Sequence, residues 1–267
     1  YEGEDVEIVP HVPEEMIKRF EEAARERNAD FVIIEIGGTV GEYQNILFIE
    51  ANRIMKYRDK RDTLHIHLGY LPTPPSVGEM KSKPMQTSVR LLNGSGIQPD
   101  FLVCRSEEPM DDRRKGLLAW ICNVDQGDII SAPNVDTIYR VPIVFEEQKL
   151  TDKILEKFHL PVKKPDMKPW KSLLKTVTNL KDSKEEFKIA VVGKYFETGS
   201  FKIGDVYISV VESLKHASWA NKARISMQWV STLDVEKFGA KKMLSKFDGI
   251  VVPGGFGSRG TEGMIQT

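Results

Sequence analysis

The chain has 267 residues, 40% hydrophobic and 29% charged, enough to bury a sizeable core in one large or two modest domains. Its 38 basic and 39 acidic residues nearly cancel, which excludes the global positive footprint of a nucleic-acid binder and leaves any anionic ligand to be held by local charge. No apolar run approaches the roughly 20 residues that span a bilayer, and the two cysteines, Cys104 and Cys122, form neither a CxxC nor a Cys/His metal spacing, which points to a reducing compartment, the cytoplasm.

In chain order, Tyr1-Glu-Gly-Glu-Asp5 is neither a signal peptide nor an initiator sequence and reads as a cut end. An amphipathic helix is predicted over 13–28, then a buried strand over 31–36 (Phe-Val-Ile-Ile-Glu-Ile). Helix 45–58, strand 65–71, helix 84–93, strand 101–104 and helices 111–121 and 152–158 follow. Buried strands alternating with helices imply parallel sheets. Between Leu160 and Glu186 the pattern breaks into Pro161-Val-Lys-Lys-Pro-Asp-Met-Lys-Pro-Trp170 and a lysine-rich stretch, the composition of a connection between domains. Domains are therefore expected at 1–160 and 187–267, with 161–186 as linker. The second domain opens with strand 189–192, continues through helices 205–217 and 234–247 with Asp205 and Asp234 as N-caps, and reaches strand 249–252. The last residues, 260–267, stop where an α/β domain runs on into a helix, so this end also reads as cut. No internal repeat of fixed period is visible.

Several segments carry residues suited to chemistry. In Val32-Ile-Ile-Glu35-Ile-Gly-Gly-Thr-Val-Gly41 a carboxylate stands at the end of a predicted buried strand, before glycines that permit close backbone approach. Ligands of open α/β sheets sit outside the carboxyl ends of strands. Glu35 therefore suits a Mg²⁺ shared with nucleotide phosphates, or else is a structural carboxylate satisfied by turn amides. Lys81 and Lys83, followed by Pro84 at a helix start and Gln86-Thr-Ser88, form a compact cationic cluster. It reads either as a triphosphate site with an amide that reads a base edge, or as an ordinary solvated lysine pair. His65 and His67 share one strand face, but no third ligand stands at a suitable spacing, so they are read as strand histidines. The run Gly249-Ile-Val-Val-Pro-Gly254-Gly255-Phe256-Gly257-Ser-Arg259-Gly260 takes a strand into a glycine turn, which is either an oxyanion hole of backbone N–H groups or a plain turn.

In this order the segments resemble the CTP synthase family. The resemblance covers nearly the whole chain and rests on Ile36-Gly-Gly-Thr-Val-Gly41, Phe48-Ile-Glu-Ala51, Gly78-Glu-Met-Lys-Ser-Lys-Pro-Met-Gln86 and Gly96-Ile-Gln-Pro-Asp-Phe-Leu-Val-Cys-Arg-Ser106. It continues through Cys122-Asn-Val124, Val135-Asp-Thr-Ile-Tyr139, Val192-Gly-Lys-Tyr195, Ser213-Leu-Lys-His-Ala217 and Val252-Pro-Gly-Gly-Phe-Gly257. The fold it implies is α/β: a P-loop-type parallel-sheet synthetase (amidoligase) domain, of which 1–160 form the C-terminal part, then the first part of a flavodoxin-like class I glutamine amidotransferase domain. The activity it implies is that of a ligase. ATP, with Mg²⁺, phosphorylates O4 of UTP, and ammonia from glutamine displaces the phosphate to give CTP. GTP is implied as allosteric activator, CTP as inhibitor, and a homotetramer that builds filaments as the assembly, with no membrane or nucleic-acid polymer as partner.

Residue by residue, the resemblance makes Glu35 the metal ligand and places Lys81, Ser82, Lys83, Pro84, Met85 and Gln86 at the UTP and CTP site. The loop Glu42, Tyr43, Gln44, Asn45, Ile46 and Leu47 joins them there, although the commoner family pattern is Gly-Asp-Ile-Glu-Ser and Gln44 stands where a carboxylate is usual. Pro133, Asn134 and Val135 fall at the ATP adenine, and Gly255 at the glutamine-binding oxyanion position. A family lysine expected before Cys122 is out of register: Leu117 occupies its place and Lys115 lies two residues earlier. No Gly-x-x-x-x-Gly-Lys-Ser/Thr loop occurs, and no cysteine follows Leu160, so the phosphate loop is expected upstream and the amidotransferase nucleophile downstream. These 267 residues alone are then expected to be inactive. The alternative is a truncated paralogue serving as a nucleotide-binding or assembly module.

Overall fold

The structure is a computed structural model that describes residues 2–181, 183, 185–194, 197–198, 201–202 and 206–267. It divides into two compact units, Tyr1–Pro165 and Asp166–Thr267, and both are α/β with parallel sheets.

In the first unit, helix α1 (Ile8–Arg27) ends at Asn28, whose left-handed backbone (φ 46°) returns its N–H to the carbonyls of Ala24 and Arg25. It packs beside α2 (Ile46–Arg58), and Arg58 reaches back to Glu14 at 2.8 Å. The sheet follows, with β1 (Ile66–Leu71), β2 (Phe101–Ser106) and β3 (Ile129–Pro133) in the order β1-β2-β3. Helix α3 (Lys83–Gly94) crosses from β1 to β2, α4 (Asp112–Cys122) crosses from β2 to β3, and α5 (Val141–Glu147) and α6 (Leu150–Lys157) come after β3. Asp111 caps α4 by accepting the Arg114 N–H at 2.7 Å. Because strand side chains alternate, β2 feeds two cores: Leu102 and Cys104 join Leu71, Met85 and Leu118, whereas Phe101 and Val103 join Ile130 and Leu150.

The expected strand 31–36 does not form. A strand is a paired state, and this segment hydrogen-bonds to no neighbouring strand; Phe31, Val32 and Ile33 are 51%, 44% and 95% exposed. Among the described residues β1 is therefore an edge strand of the sheet. Conversely, β3 was not anticipated: Ile-Ile-Ser-Ala-Pro is too short to show a period, and its identity comes from pairing with β2.

His67, on β1, is 8% exposed and shares a 2.9 Å hydrogen bond with Ser88 Oγ of α3. Burial pushes its pKa down, and burial does the same to His65 just before the strand. An unfolded histidine takes up its proton near about pH 6.5, which the buried ring resists, so stability is present above that value and is lost as the pH falls below it. Urea unfolding midpoints are expected to drop between about pH 7 and 5.5, and His67→Gln should make that decline shallower. An unchanged slope in the variant would mean that the His67 ring does not resist protonation.

The second unit begins with α7 (Lys168–Lys181), so the stretch expected as linker contains a helix whose Leu174 and Val177 are buried. Then come β4 (Glu186–Gly193), the short antiparallel pair β5 (Glu197–Thr198) and β6 (Phe201–Lys202), and α8 (Ile208–Ala220). Strand β7 (Arg224–Ser231), helices α9 (Thr232–Phe238) and α10 (Ala240–Leu244), strand β8 (Gly249–Val251) and α11 (Thr261–Gln266) complete it. The sheet order is β7-β4-β8, all parallel. Counting only the strands of this parallel sheet, that is second, first, third, the opening of the 2-1-3-4-5 doubly wound arrangement. The single helix expected over 234–247 is two, broken at Gly239 (φ 84°, ψ 139°). Its cap position is Ser231 and not Asp234, because the chain passes from β7 straight into the helix; Asp234 stands in the first turn, where its charge still complements the helix dipole. Asp205, the other expected cap, lies outside the described residues.

Candidate functional site

The carboxyl ends of β1 and β3 lead into the expected segments Lys81–Gln86 and Pro133–Val135, whereas Glu35 and the loop 42–47 precede the sheet. After Leu71 the loop turns back on itself: the Val77 and Gly78 N–H groups donate to the Pro74 carbonyl at 3.0 and 2.9 Å, and the Lys81 N–H donates to Pro72 at 2.8 Å. This compact turn delivers Lys81, Ser82 and Lys83 to the head of α3. Lys81 Nζ donates to Glu79 Oε2 at 2.7 Å, and Arg114 of α4 approaches the same carboxylate at 3.8 Å. The Lys81 ammonium holds the Glu79 carboxyl below the usual carboxylate range. Lys83 is exposed and makes no hydrogen bond or ion pair among the described residues. Gln86 donates to Ser82 Oγ at 3.0 Å, and Pro84 is exposed at the first turn of α3.

Met85 is 1% exposed and belongs to the core, packed so closely on β1 that a Cβ added to Gly69 would stand 2.7 Å from its sulfur. Its side chain anchors the cationic segment from below. A Cβ at position 69 would require the end of the Met85 side chain to shift.

The loop 42–47 divides in the same way. Tyr43 is 96% exposed and Gln44 donates to Glu42 Oε2 at 2.5 Å, while Ile46 is exposed and Leu47 half-buried. Asn45 instead turns inward at 3% exposure, and its Nδ2 donates to the carbonyls of Thr39 (2.9 Å) and Gly37 (3.3 Å). It therefore ties the loop to the glycine turn that follows Glu35. Glu35 itself is exposed, has no ion pair or hydrogen bond, and is joined to the Lys81–Gln86 segment by none among the described residues. The expectation of a carboxylate on a buried strand is thus corrected: without a paired neighbour the backbone around it stays irregular and open.

After β3, the Asn134 N–H donates to the Ser106 carbonyl at 2.8 Å and its Oδ1 accepts from Arg105 Nη2 at 3.1 Å. Pro133 and Val135 are half-buried around an exposed Asn134. Arg105, Glu79 and Arg114 were not singled out from sequence. Arg105 had a signal, as the one exposed residue in the otherwise buried β2 run; Glu79 stands two residues before Lys81 in the same turn, and only Arg114 is brought to it by the packing of α4 beside α3. Lys115 lines a cleft with Gln126, Gln148 and Lys153, and Leu117 is 45% exposed on α4.

Neither cysteine is suited to attack an amide. Both are buried, and burial pushes the Cys104 thiol up to about 12 and raises that of Cys122, so no thiolate is available near neutral pH. Among the described residues no three His, Cys, Asp or Glu side chains gather as a metal cage. A lone open carboxylate fits a cation that takes the rest of its ligands from phosphate and water, as Mg²⁺ does, and Glu35 offers that.

In the second unit β8 runs into Pro253-Gly-Gly-Phe-Gly257, with Gly254, Gly255 and Gly257 exposed and Phe256 92% exposed. The turn is bound to the end of β4 through Lys194, whose Nζ donates to the Gly257 carbonyl at 2.9 Å.

Comparison with known proteins places both units. Residues 1–160 match the family model described as CTP synthase N-terminus, and residues 202–267 match glutamine amidotransferase class-I. The whole chain aligns at 40% identity with 48% of a CTP synthase from Synechococcus sp. (strain JA-3-3Ab). It aligns at 42% with 49% of one from Geobacillus kaustophilus, and at 40% with 48% of one from Pyrococcus abyssi. The chain thus spans about half the length of the curated relatives it matches. Among the described residues no helix is long and apolar enough to cross a membrane.

Proposed function

The chain belongs to the CTP synthase family, and from that premise we propose that its residues serve the ATP-dependent amination of UTP to CTP with glutamine as nitrogen donor. In that reaction the γ-phosphoryl group of ATP moves to O4 of UTP and ADP leaves. Ammonia then adds at C4 and inorganic phosphate departs with the former O4, while hydrolysis of glutamine to glutamate supplies the ammonia. Residues 1–160, which match the CTP synthase N-terminus model and not only its C-terminal part as expected, are assigned to the synthetase domain, 161–186 to the connection and 187–267 to the start of the amidotransferase domain, in a protein that works in the cytoplasm as a homotetramer able to form filaments. GTP is assigned as activator of glutamine hydrolysis and CTP as inhibitor.

The observation that carries this reading is the cationic turn at the carboxyl end of β1. Lys81 and Lys83 stand at the head of a twelve-residue helix, α3, whose first N–H groups add to their positive field. Lys83 has no partner among the described residues, so a triphosphate can take its charge without first breaking an ion pair; Lys81 must exchange Glu79 for the ligand. Ser82 and Gln86 form a hydrogen-bonded pair beside them that can turn to a uracil or cytosine edge. Glu42, Tyr43, Gln44, Ile46 and Leu47 are assigned to the same site, with Asn45 as the residue that shapes their loop. Pro133, Asn134 and Val135 are assigned to the ATP adenine, Glu35 to Mg²⁺, which would supply charge neutralisation at the phosphates, and Gly255 to the oxyanion of glutamine hydrolysis.

Lys83→Ala, in a chain of the relatives' full length, is expected to raise the UTP concentration needed for half-maximal rate and to weaken CTP inhibition together. Loss of one charge-assisted phosphate contact is worth about 1.5–3 kcal/mol, roughly tenfold or more in affinity. Titrations of UTP and CTP at fixed ATP test it. An unchanged response to both nucleotides would remove the segment from the nucleotide site.

A further inference from the structure

At the carboxyl end of β4, the middle strand of the second unit's parallel sheet, one lysine reaches across to the turn that follows β8. Lys194 Nζ donates to the Gly257 carbonyl at 2.9 Å and to Thr261 Oγ1 at 3.0 Å, residues 63 and 67 positions away in the chain. Thr261 Oγ1 in turn donates to the Gly257 carbonyl at 3.1 Å, so ammonium, hydroxyl and carbonyl close one ring of hydrogen bonds. The root of the lysine is held as well, because its N–H donates to Tyr207 Oη at 3.2 Å and the buried Tyr207 ring stacks on Trp229 of β7.

The far side of the turn is equally constrained. Gly260 has φ 68°, and a Cβ added to it would stand 2.1 Å from Thr232 Oγ1; the Gly263 N–H donates to Glu236 Oε1 at 2.9 Å. Between the buried Pro253, just past β8, and the anchored Gly257 lie the exposed Gly254, Gly255 and Phe256, which are not set by core packing of their own. Among the described residues Lys194 pairs with no carboxylate: its charge is directed at a carbonyl and a hydroxyl of this turn.

We propose that Lys194 is a positioning residue for glutamine hydrolysis, clamping the Pro253-Gly-Gly-Phe-Gly257 turn so that the Gly255 N–H is fixed toward the developing oxyanion. The inference rests on the assignment of Gly255 made under Proposed function. An oxyanion donor works only when it is aimed before the charge develops, and an exposed glycine turn supplies no such aim by itself. Lys194 provides it from the end of β4, a strand paired on both sides.

The test uses a chain of the relatives' full length, with glutamine hydrolysis and ammonia-dependent CTP formation measured side by side. Lys194→Met keeps the aliphatic stem and removes the donors; it is expected to lower kcat for glutamine hydrolysis about ten- to hundredfold with KM changed by less than about threefold. Ammonia-dependent CTP formation should stay at the parent level, and Lys194→Arg should restore most of the glutamine-dependent rate. Gly255→Pro, which removes the N–H itself, is the reference. Parental hydrolysis in Lys194→Met with a defective Gly255→Pro overturns the clamp while leaving the oxyanion assignment standing. Parental hydrolysis in both overturns the two together. Equal loss of both activities in Lys194→Met would make the lysine a general structural residue and also overturn the proposal.

Discussion

Glu35→Gln, placed in a chain of the relatives' full length, is expected to cut ammonia-dependent CTP formation by on the order of a hundredfold or more, from the several kcal/mol a bound cation contributes at transferring phosphates. Glutamine hydrolysis should remain near the parent rate, because amide cleavage uses no phosphate. The substitution keeps the size and hydrogen-bonding reach of the side chain and removes only its charge. Glu35 is exposed and has no ion pair among the described residues, so the change leaves no buried charge behind. A stability explanation is thereby removed in advance. A rise in the Mg²⁺ concentration needed for CTP formation would be the accompanying sign. Equal loss of both activities, or retention of CTP formation, would take Glu35 out of the metal site.

Phe101→Ala is expected to destabilise the first unit by about 3–5 kcal/mol, the usual cost of emptying a fully buried phenylalanine site. Phe101 is 0% exposed at the start of the middle strand, and its ring faces Val103, Ile130 and Leu150. Lys157 Nζ stands 5.1 Å from the ring centroid on the outer side, so truncation also removes a cation–π contact. A domain's net stability is about 5–15 kcal/mol, so the loss would be a large share of the total. Urea unfolding followed by a probe in the first unit checks it, with Phe101→Leu expected to recover more than half of the loss. A shift below about 1 kcal/mol would mean that the site collapses around the missing ring.

The elements read most easily were those whose signal is local. Helix α3 was visible from Pro84 at its start and the spacing of Met85, Val89 and Leu92, all of them buried. Asp111 was placed at the boundary it caps, and strands β1, β2, β4 and β8 appeared as apolar runs. Strand β7 was overlooked although Ile225, Met227 and Trp229 alternate with polar residues along it, a period-2 signal that was available. Strand 31–36 failed for the opposite reason: its composition is that of a buried strand, but composition supplies no partner.

The site followed the same division. That Lys81 and Lys83 form a cationic turn ahead of a helix is written in adjacent residues. That Glu79 pairs with Lys81 is equally local, but the approach of Arg114 to the same carboxylate is not, since α4 lies far along the chain. The sequence by itself determined the α/β class, the parallel sheets, the family, and the identity of the charged and glycine-rich turns, because hydrophobic period and motif order are properties of near neighbours. The tertiary structure alone decided that Asn45 and Met85 point inward, that Glu35 stands open, and that Lys194 reaches across to Gly257. Each of those outcomes depends on which distant backbone carbonyl, edge strand or core space a side chain meets, and chain position does not encode that distance.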